Sequence, residues 1–323
     1  MSLKRILIVN KAYCAAGLEL LKDKVQTTVI PLLDHEAEIL STIKKTIVEG
    51  FDGLIWNTRL KLSKEILDLA APKLKVVSTM SSGIDNIDQA ELKKRGISLG
   101  NTPKVLDNAV ADVTMGLIIA AGRRFKEGVW ELERGEWKYG VNWTIGQDIA
   151  GSTVGIIGLG GIGQAVIRRL KGFDVACFVY TGRTDKPEAK SLGAERVPLD
   201  QLLKESDYVC LCCPLTAETR FLINADTLKL MKSNSVLINI GRGELVDQDA
   251  LYQALSTRQI FAAGLDVMTP EPLSKDHPLV ALPNCFILPH LGSATVKTRN
   301  AMSEIAAQNI LLGVEGKPML FPC

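Results

Sequence analysis

Short runs of consecutive apolar residues recur along the chain, separated by stretches in which apolar positions return every three or four residues. In the first hundred residues the runs fall at 5–10, 27–30, 53–56 and 75–79, with helical patterns over 17–21 and 37–48. A second alternation starts at Thr153 and continues through 174–180, 207–212, 235–240, 261–266 and 285–288. Strands that read as continuous apolar runs and alternate with helices belong to parallel sheets covered on both faces. The pattern predicts an α/β chain with two doubly wound domains. Between the two alternations, 109–121 is a long, largely apolar stretch, too short for a membrane span but suited to a buried helix near a domain connection. A last helical stretch, 298–312, runs out at Gly313 and Gly316-Lys317-Pro318.

Residues 123–150 interrupt this regularity. Trp130, Trp137, Tyr139 and Trp143 stand among charged residues, and the second half of the segment has no clean period. The segment reads as an excursion whose aromatics need a covering surface. A second copy in a symmetric homodimer is the expected supplier, with packing on its own domain as the alternative. The 323 residues carry 38 basic and 36 acidic side chains, a formal charge of +2 without a block of either sign. Nucleic acid is therefore not an expected partner. No apolar run is long enough for a membrane span, and the first residues lead straight into a strand, so a cytoplasmic protein with no membrane partner is expected. Seven cysteines include Cys177, Cys210, Cys212 and Cys213 in apolar runs, with no nearby histidine. They are expected to be buried thiols, and no metal site is expected.

The strand 152–157 runs into Gly158-Leu159-Gly160-Gly161-Ile162-Gly163, followed by a helical stretch over 164–171. This is GxGxxG in strand–turn–helix context, the pattern of a Rossmann dinucleotide site. Gly158 suits the tight turn, Gly160 lets the backbone approach a pyrophosphate, and Gly163 allows the helix to pack closely, with the helix N-terminus facing the phosphates. In NAD-binding proteins a ribose-reading acid ends the next strand; here that place holds Thr181-Gly182-Arg183-Thr184. An arginine with flanking hydroxyls suits a 2′-phosphate, so NADP(H) is the expected cofactor, ahead of NAD(H). The alternative leaves Arg183 as a surface charge and gives the ribose to Asp185.

Three further segments follow predicted strands: 239–244 with Arg242, 266–273 with Asp266 and Glu271, and 288–295 with His290. In a doubly wound sheet such ends converge on the ligand crevice. The order of these motifs, together with Pro270-Glu271-Pro272-Leu273 and Pro289-His290-Leu291-Gly292-Ser293-Ala294-Thr295, resembles the D-isomer-specific 2-hydroxyacid dehydrogenases over essentially the whole chain. The wording of 180–183, 264–267 and 316–319 is most similar to the branch of that family that reduces glyoxylate and hydroxypyruvate.

The resemblance implies a Rossmann NAD(P)-binding domain, 105–293, inserted into a flavodoxin-like substrate domain, 1–104 with 294–323, with residues 123–150 as a dimerisation arm. It implies NADPH-dependent reduction of a small 2-keto acid, hydroxypyruvate to D-glycerate or glyoxylate to glycolate. Arg242 would grip carboxylate and carbonyl, His290 would supply the proton, and Glu271 would orient the imidazole. Ser82 and Gly83 would receive the substrate carboxylate on their amides, although an ordinary turn before a helix also explains them. Asp266 would hold the nicotinamide carboxamide. Thr114, Cys213, Pro214, Ile240, Gly292 and Ser293 complete the implied cofactor contacts, with a hydroxyl-to-own-backbone bond as the rival for Thr114. Trp143 resembles an arm aromatic placed near the neighbouring subunit's substrate, against core packing as an equal reading. A phosphoglycerate or D-lactate dehydrogenase, or a nucleotide-sensing corepressor-like binding protein retaining the same three residues, remain alternatives.

Overall fold

The computed structural model describes residues 3–9, 14–31, 35–138 and 140–323, so the end of the first predicted strand at residue 10 and Tyr139 of the arm lie outside the described residues. The chain divides into two compact units, Met1–Leu106 with Ala294–Cys323, and Asp107–Ser293. In the first, β1 (Lys4–Val9), α1 (Ala15–Leu21), β2 (Val25–Ile30), α2 (Glu36–Ile47), β3 (Gly53–Trp56), α3 (Lys64–Ala70), β4 (Val76–Ser78), α4 (Gln89–Lys94) and β5 (Ser98–Gly100) alternate. The second holds α5 (Asp107–Gly122), α6 (Phe125–Glu133), β6 (Thr153–Ile157), α7 (Gly161–Leu170), β7 (Cys177–Thr181), α8 (Glu188–Leu192), β8 (Ala194–Arg196) and α9 (Leu199–Glu205). It continues with β9 (Tyr208–Leu211), α10 (Ala225–Leu228), β10 (Val236–Asn239), α11 (Gln248–Ser256), β11 (Ala262–Leu265), α12 (Pro278–Ala281) and β12 (Cys285–Ile287). The last helix, α13 (Val296–Val314), returns to the first unit.

All strand pairs are parallel. The first sheet has the order β2-β1-β3-β4-β5, the flavodoxin-like arrangement, and the second β12-β11-β10-β9-β6-β7-β8, a Rossmann order with one added edge strand. The expected α/β class with two doubly wound sheets is what the chain forms. Alternation along β3 shows how each sheet is covered twice: Leu54 and Trp56 pack with Ile43 of α2 and Ile66 of α3, whereas Gly53 faces Ile310 of α13. In the second sheet, Leu203 of α9, Leu251 of α11 and Leu279 of α12 share a core with Leu211, Leu237 and Leu265. On the opposite face Leu117 of α5 lies over Gly264 of β11, where a Cβ would come within 3.0 Å of it. That close approach explains why so apolar a helix as α5 is buried without being a membrane span; among the described residues no helix is long and apolar enough to cross one.

Two expectations are corrected. The strand expected from residue 174 begins at Cys177, because Asp174 takes a left-handed turn (φ 55°). Cys177, as the first residue of that strand, is exposed, while Cys210 and Cys285 are buried and burial pushes both thiols up to about 12.

An aspartate pins each sheet at the amino ends of its strands. Asp52, just before β3, accepts the Arg5 N–H at 2.9 Å and pairs with Lys4 and Lys73; Asp207, just before β9, accepts the Thr153 N–H at 2.9 Å and the Lys232 ammonium at 2.9 Å. Burial would raise both carboxyls, but the backbone donors and lysines outweigh it and hold them below the usual carboxylate range. A depressed folded-state pKa contributes stability above the unfolded value, lost as pH falls through the folded value. We therefore expect Asp207→Asn to lower the melting temperature at pH 7 and to flatten its fall between about pH 5 and pH 3. Parallel melting curves for variant and parent across that window, read by calorimetry, would refute the assignment.

Candidate active site

The second sheet reverses its winding between β6 and β9, and a ligand crevice opens beyond the carboxyl ends of strands at such a point. The glycine loop leaves β6 there. Gly158 has φ +97°, and a Cβ on it would lie 2.8 Å from the Cys213 backbone at the end of β9, so only glycine lets these two loops meet. A Cβ on Gly163 would lie 2.5 Å from the Gly158 carbonyl, which ties helix α7 to its strand. Gly160, by contrast, faces open space, while the Asp107 carboxylate sits against Gly161 at the start of α7. A backbone that a ligand can approach at Gly160, beside the N-terminus of a ten-residue helix, fits a pyrophosphate.

The other expected cofactor residues also sit at carboxyl ends of this sheet: Thr181 ends β7 with Gly182, Arg183 and Thr184 after it, Cys213 and Pro214 follow β9, Ile240 follows β10, Asp266 follows β11, and Gly292 and Ser293 follow β12. Arg183 is exposed, and Asp185, its rival for the ribose, is ion-paired with Arg196 at 2.9 Å. Thr114 is different. It is fully buried on α5 and its hydroxyl donates to the Val110 carbonyl at 2.8 Å, the bond to its own backbone that rivals a cofactor contact.

The three chemical residues come from neighbouring strands β10, β11 and β12. His290 Nδ1 lies 2.9 Å from Glu271 Oε2, and Glu271 Oε1 accepts the Met268 N–H at 2.9 Å, so each carboxylate oxygen has a fixed task. The imidazole is partly exposed (31%) and the carboxylate nearly covered (12%), which leaves one ring face toward a ligand and the anchor away from water. His290 itself has φ 58°, an unfavourable conformation for a residue with a side chain. Asp266 holds it there: its two oxygens accept the N–H groups of Leu291 (2.7 Å) and Gly292 (2.8 Å). Burial raises the Asp266 carboxyl above the usual range, against the pull of those two amides.

Arg242 follows β10 on a loop shaped by Asn239, which is buried. The Asn239 amide oxygen accepts the Gly241 N–H at 3.1 Å, and its nitrogen donates to the Arg242 carbonyl at 2.8 Å. Gly243 packs so tightly that a Cβ would fall 2.1 Å from the Met268 backbone, which locks the Arg242 loop onto the segment leading to Glu271. Gln248 holds that segment from the other side, accepting the Thr269 N–H at 2.8 Å and donating to its carbonyl. Asn239 and Gln248 were missed in the sequence. Asn239 opens the Asn-x-x-Arg-Gly segment and carried a signal, since asparagine bonding two to three residues ahead is a standard turn device; Gln248 carried none.

In the first unit, Ser82 and Gly83 lie on the turn after β4. Asn101 donates to the Ser82 carbonyl at 2.8 Å, the Ser81 hydroxyl donates to the Gly83 carbonyl, and the Thr102 N–H meets the Ser81 carbonyl at 2.9 Å. In the arm, Trp143 stacks on Trp137 with ring centroids 6.4 Å apart.

A Rossmann sheet with this His–Glu pair and arginine loop defines a class, and the chain belongs to the D-isomer-specific 2-hydroxyacid dehydrogenases: the NAD-binding-domain model of that family matches residues 115–292. It is an NAD(P)-dependent oxidoreductase. Among its relatives, the glyoxylate reductase/hydroxypyruvate reductase of Mus musculus is 48% identical over 274 residues, 84% of either chain. The glyoxylate reductase of Thermococcus onnurineus is 41% identical over 321 residues, 98% of this chain and 94% of that one. The crystal structure of the NADPH-dependent glyoxylate/hydroxypyruvate reductase of Sinorhizobium meliloti, in complex with NADP and malonate, is similar with a TM-score of 0.84 at 34% identity, covering 100% of this chain and 97% of that one.

Proposed function

We propose that this protein reduces short 2-keto acids in the cytoplasm, hydroxypyruvate to D-glycerate and glyoxylate to glycolate, with NADPH preferred over NADH. The observation that carries the reading is the His290–Glu271 pair at 2.9 Å on a loop held by Asp266, at the ligand end of a dinucleotide-binding sheet. When bound, the reduced nicotinamide supplies the hydride to the carbonyl carbon. Arg242 pairs its planar fork with the substrate carboxylate and polarises the C2 carbonyl. His290, with Nδ1 turned to Glu271, offers Nε2 to the nascent alkoxide and delivers its proton there. Glu271 keeps the ring oriented and stabilises the imidazolium until that transfer. Ser82 and Gly83 take the substrate carboxylate on their amides, a role supported by the bracing of their carbonyls. The loop Gly158–Gly163 receives the pyrophosphate, Asp266 the carboxamide, and Thr181, Gly182, Arg183 and Thr184 the 2′-phosphate. The NADPH preference rests on the absence of a carboxylate from 181–184 and on the engagement of Asp185 by Arg196.

The test follows cofactor absorbance with NADPH or NADH against hydroxypyruvate, glyoxylate and pyruvate at matched low cofactor concentration. NADPH with either of the first two acids is expected to be the fastest pair, by about tenfold in kcat/KM over NADH, in line with loss of a charge-assisted phosphate contact. Faster turnover with NADH would overturn the phosphate reading. Cofactor binding without turnover of any acid would favour the nucleotide-sensing binding protein.

We further propose that the arm is a homodimer face. Helix α6 buries none of its residues, and Phe125, Val129 and Leu132 form an exposed stripe, each more than half accessible. Sedimentation is expected to give twice the chain mass of 35.1 kDa, and Val129→Glu with Leu132→Glu to give the monomer. A parent protein that sediments as a monomer at every concentration would exclude it.

A further inference from the structure

We propose that Arg196 is a specificity-determining positioning residue, clamping the turn that presents Arg183 so that the site favours a cofactor with a 2′-phosphate. The proposal rests on the NADPH reading above. Arg196 is the last residue of β8, the edge strand, in register with Tyr180 of β7, and so stands at the carboxyl end of the sheet beside the turn. Its guanidinium reaches both sides of Arg183 and Thr184: Nη2 donates to the Gly182 carbonyl at 2.7 Å and Nη1 to Asp185 Oδ1 at 2.9 Å. Tyr180 secures the far end, its hydroxyl accepting the Lys186 N–H at 3.1 Å and its carbonyl the Val197 N–H at 2.9 Å.

The turn is therefore stitched along its length, while Arg183 is left exposed at its crest. The charge of Arg183 reaches Glu218, in the loop after β9 on the other side of the glycine strand. Glu218 is held below the usual carboxylate range by Thr216 and its own N–H, with Arg183 adding to them. Two consequences favour the phosphorylated cofactor. A preordered turn loses less freedom when Arg183 closes on a phosphate. And Asp185, a carboxylate near the ribose end of the site, is turned to its partner, whose positive charge offsets its own; released, it would repel a 2′-phosphate and could accept a 2′-hydroxyl instead. The planar fork matters because two acceptors in different directions are served at once, which a lysine ammonium does less well.

Steady-state kinetics of Arg196→Ala, Arg196→Lys, Asp185→Asn and Arg183→Ala with NADPH and with NADH, at saturating hydroxypyruvate, test this. Arg196→Ala is expected to raise KM for NADPH about tenfold, leave kcat within twofold and leave KM for NADH no higher than in the parent. Because the ion pair is exposed, the melting temperature should stay within about 2 °C. Arg196→Lys should regain part of the NADPH affinity, and Asp185→Asn, which keeps an acceptor but loses a charge, should bind NADPH at least as well as the parent. Equal rises in KM for both cofactors in Arg196→Ala would mark a merely structural role and overturn the proposal. No change in Arg196→Ala beside a selective NADPH loss in Arg183→Ala would overturn it while the cofactor reading stands. If Arg183→Ala fails to discriminate, or Asp185→Asn weakens NADH, the cofactor reading itself falls.

Discussion

The His290→Gln variant is expected to lose about 10³-fold in kcat for keto-acid reduction while binding NADPH within about threefold of the parent. Glutamine keeps a polar group of similar reach but cannot deliver a proton at neutral pH. The loss should fall on the chemical step, because the imidazole is oriented by a carboxylate at 2.9 Å and its loop is fixed by the two bonds to Asp266, so the substitution leaves the neighbouring backbone in place. Stopped-flow single turnovers would show the slowed step directly. A variant that reduces hydroxypyruvate at the parent rate would remove His290 from proton transfer. Glu271→Gln should lie between the two, since an amide oxygen still receives the ring N–H but no longer stabilises the imidazolium.

Second in size is Arg242. Its replacement by alanine should lower kcat/KM by about 10³-fold or more, with KM for the keto acid rising and kcat falling, because one side chain serves both the carboxylate in the ground state and the oxygen that gains charge. Arg242→Lys should recover only part of this, a point charge being unable to face both groups as the guanidinium fork does. The prediction is specific because most of the bracing of the Arg242 loop comes from other residues: Asn239 bonds its backbone at both ends and Gly243 is wedged against Met268, while the guanidinium adds one bond to the Gly241 carbonyl at 2.9 Å. Folding and cofactor binding should therefore be unchanged in both variants. Lysine activity equal to the parent's would show that charge alone is required.

Much of the fold was legible in the apolar runs because both sheets are parallel and covered twice, which leaves little polar alternation to confuse the pattern. The strands β5 and β8 are not legible because each carries a single apolar residue, Leu99 in Ser98–Gly100 and Ala194 in Ala194–Arg196, whereas the equally short β4 and β12 are mostly apolar. Helix α6 was passed over for a different reason. Its stripe of Phe125, Val129 and Leu132 has helical spacing, but it buries nothing within the chain, and the surrounding tryptophans drew attention to the irregular half of the segment. At the site, Gly158 and Gly163 were readable because their spacing encodes backbone geometry that only glycine meets. Arg242, Glu271 and His290 were locatable as residues after strands, but their roles came from resemblance, since sequence spacing does not show which loops face each other. The left-handed His290 and its two-bond tether to Asp266 were invisible for the same reason: a carboxylate 24 residues away sets the backbone of the histidine loop.

Asp52 and Asp207 pin their sheets at the ends from which the strands start, whereas every loop assigned here to chemistry leaves from the ends where strands finish. The carboxylates that tie the strands together and the residues assigned to chemistry thus occupy opposite poles of each sheet. A consequence is evolutionary tolerance: an exposed loop such as 181–185 is free to diversify and change what is bound, at little risk to folding, while the acid-bearing pole has to stay as it is. Selection for a new cofactor or keto acid from this scaffold should accordingly enrich changes at one pole and purge them at the other.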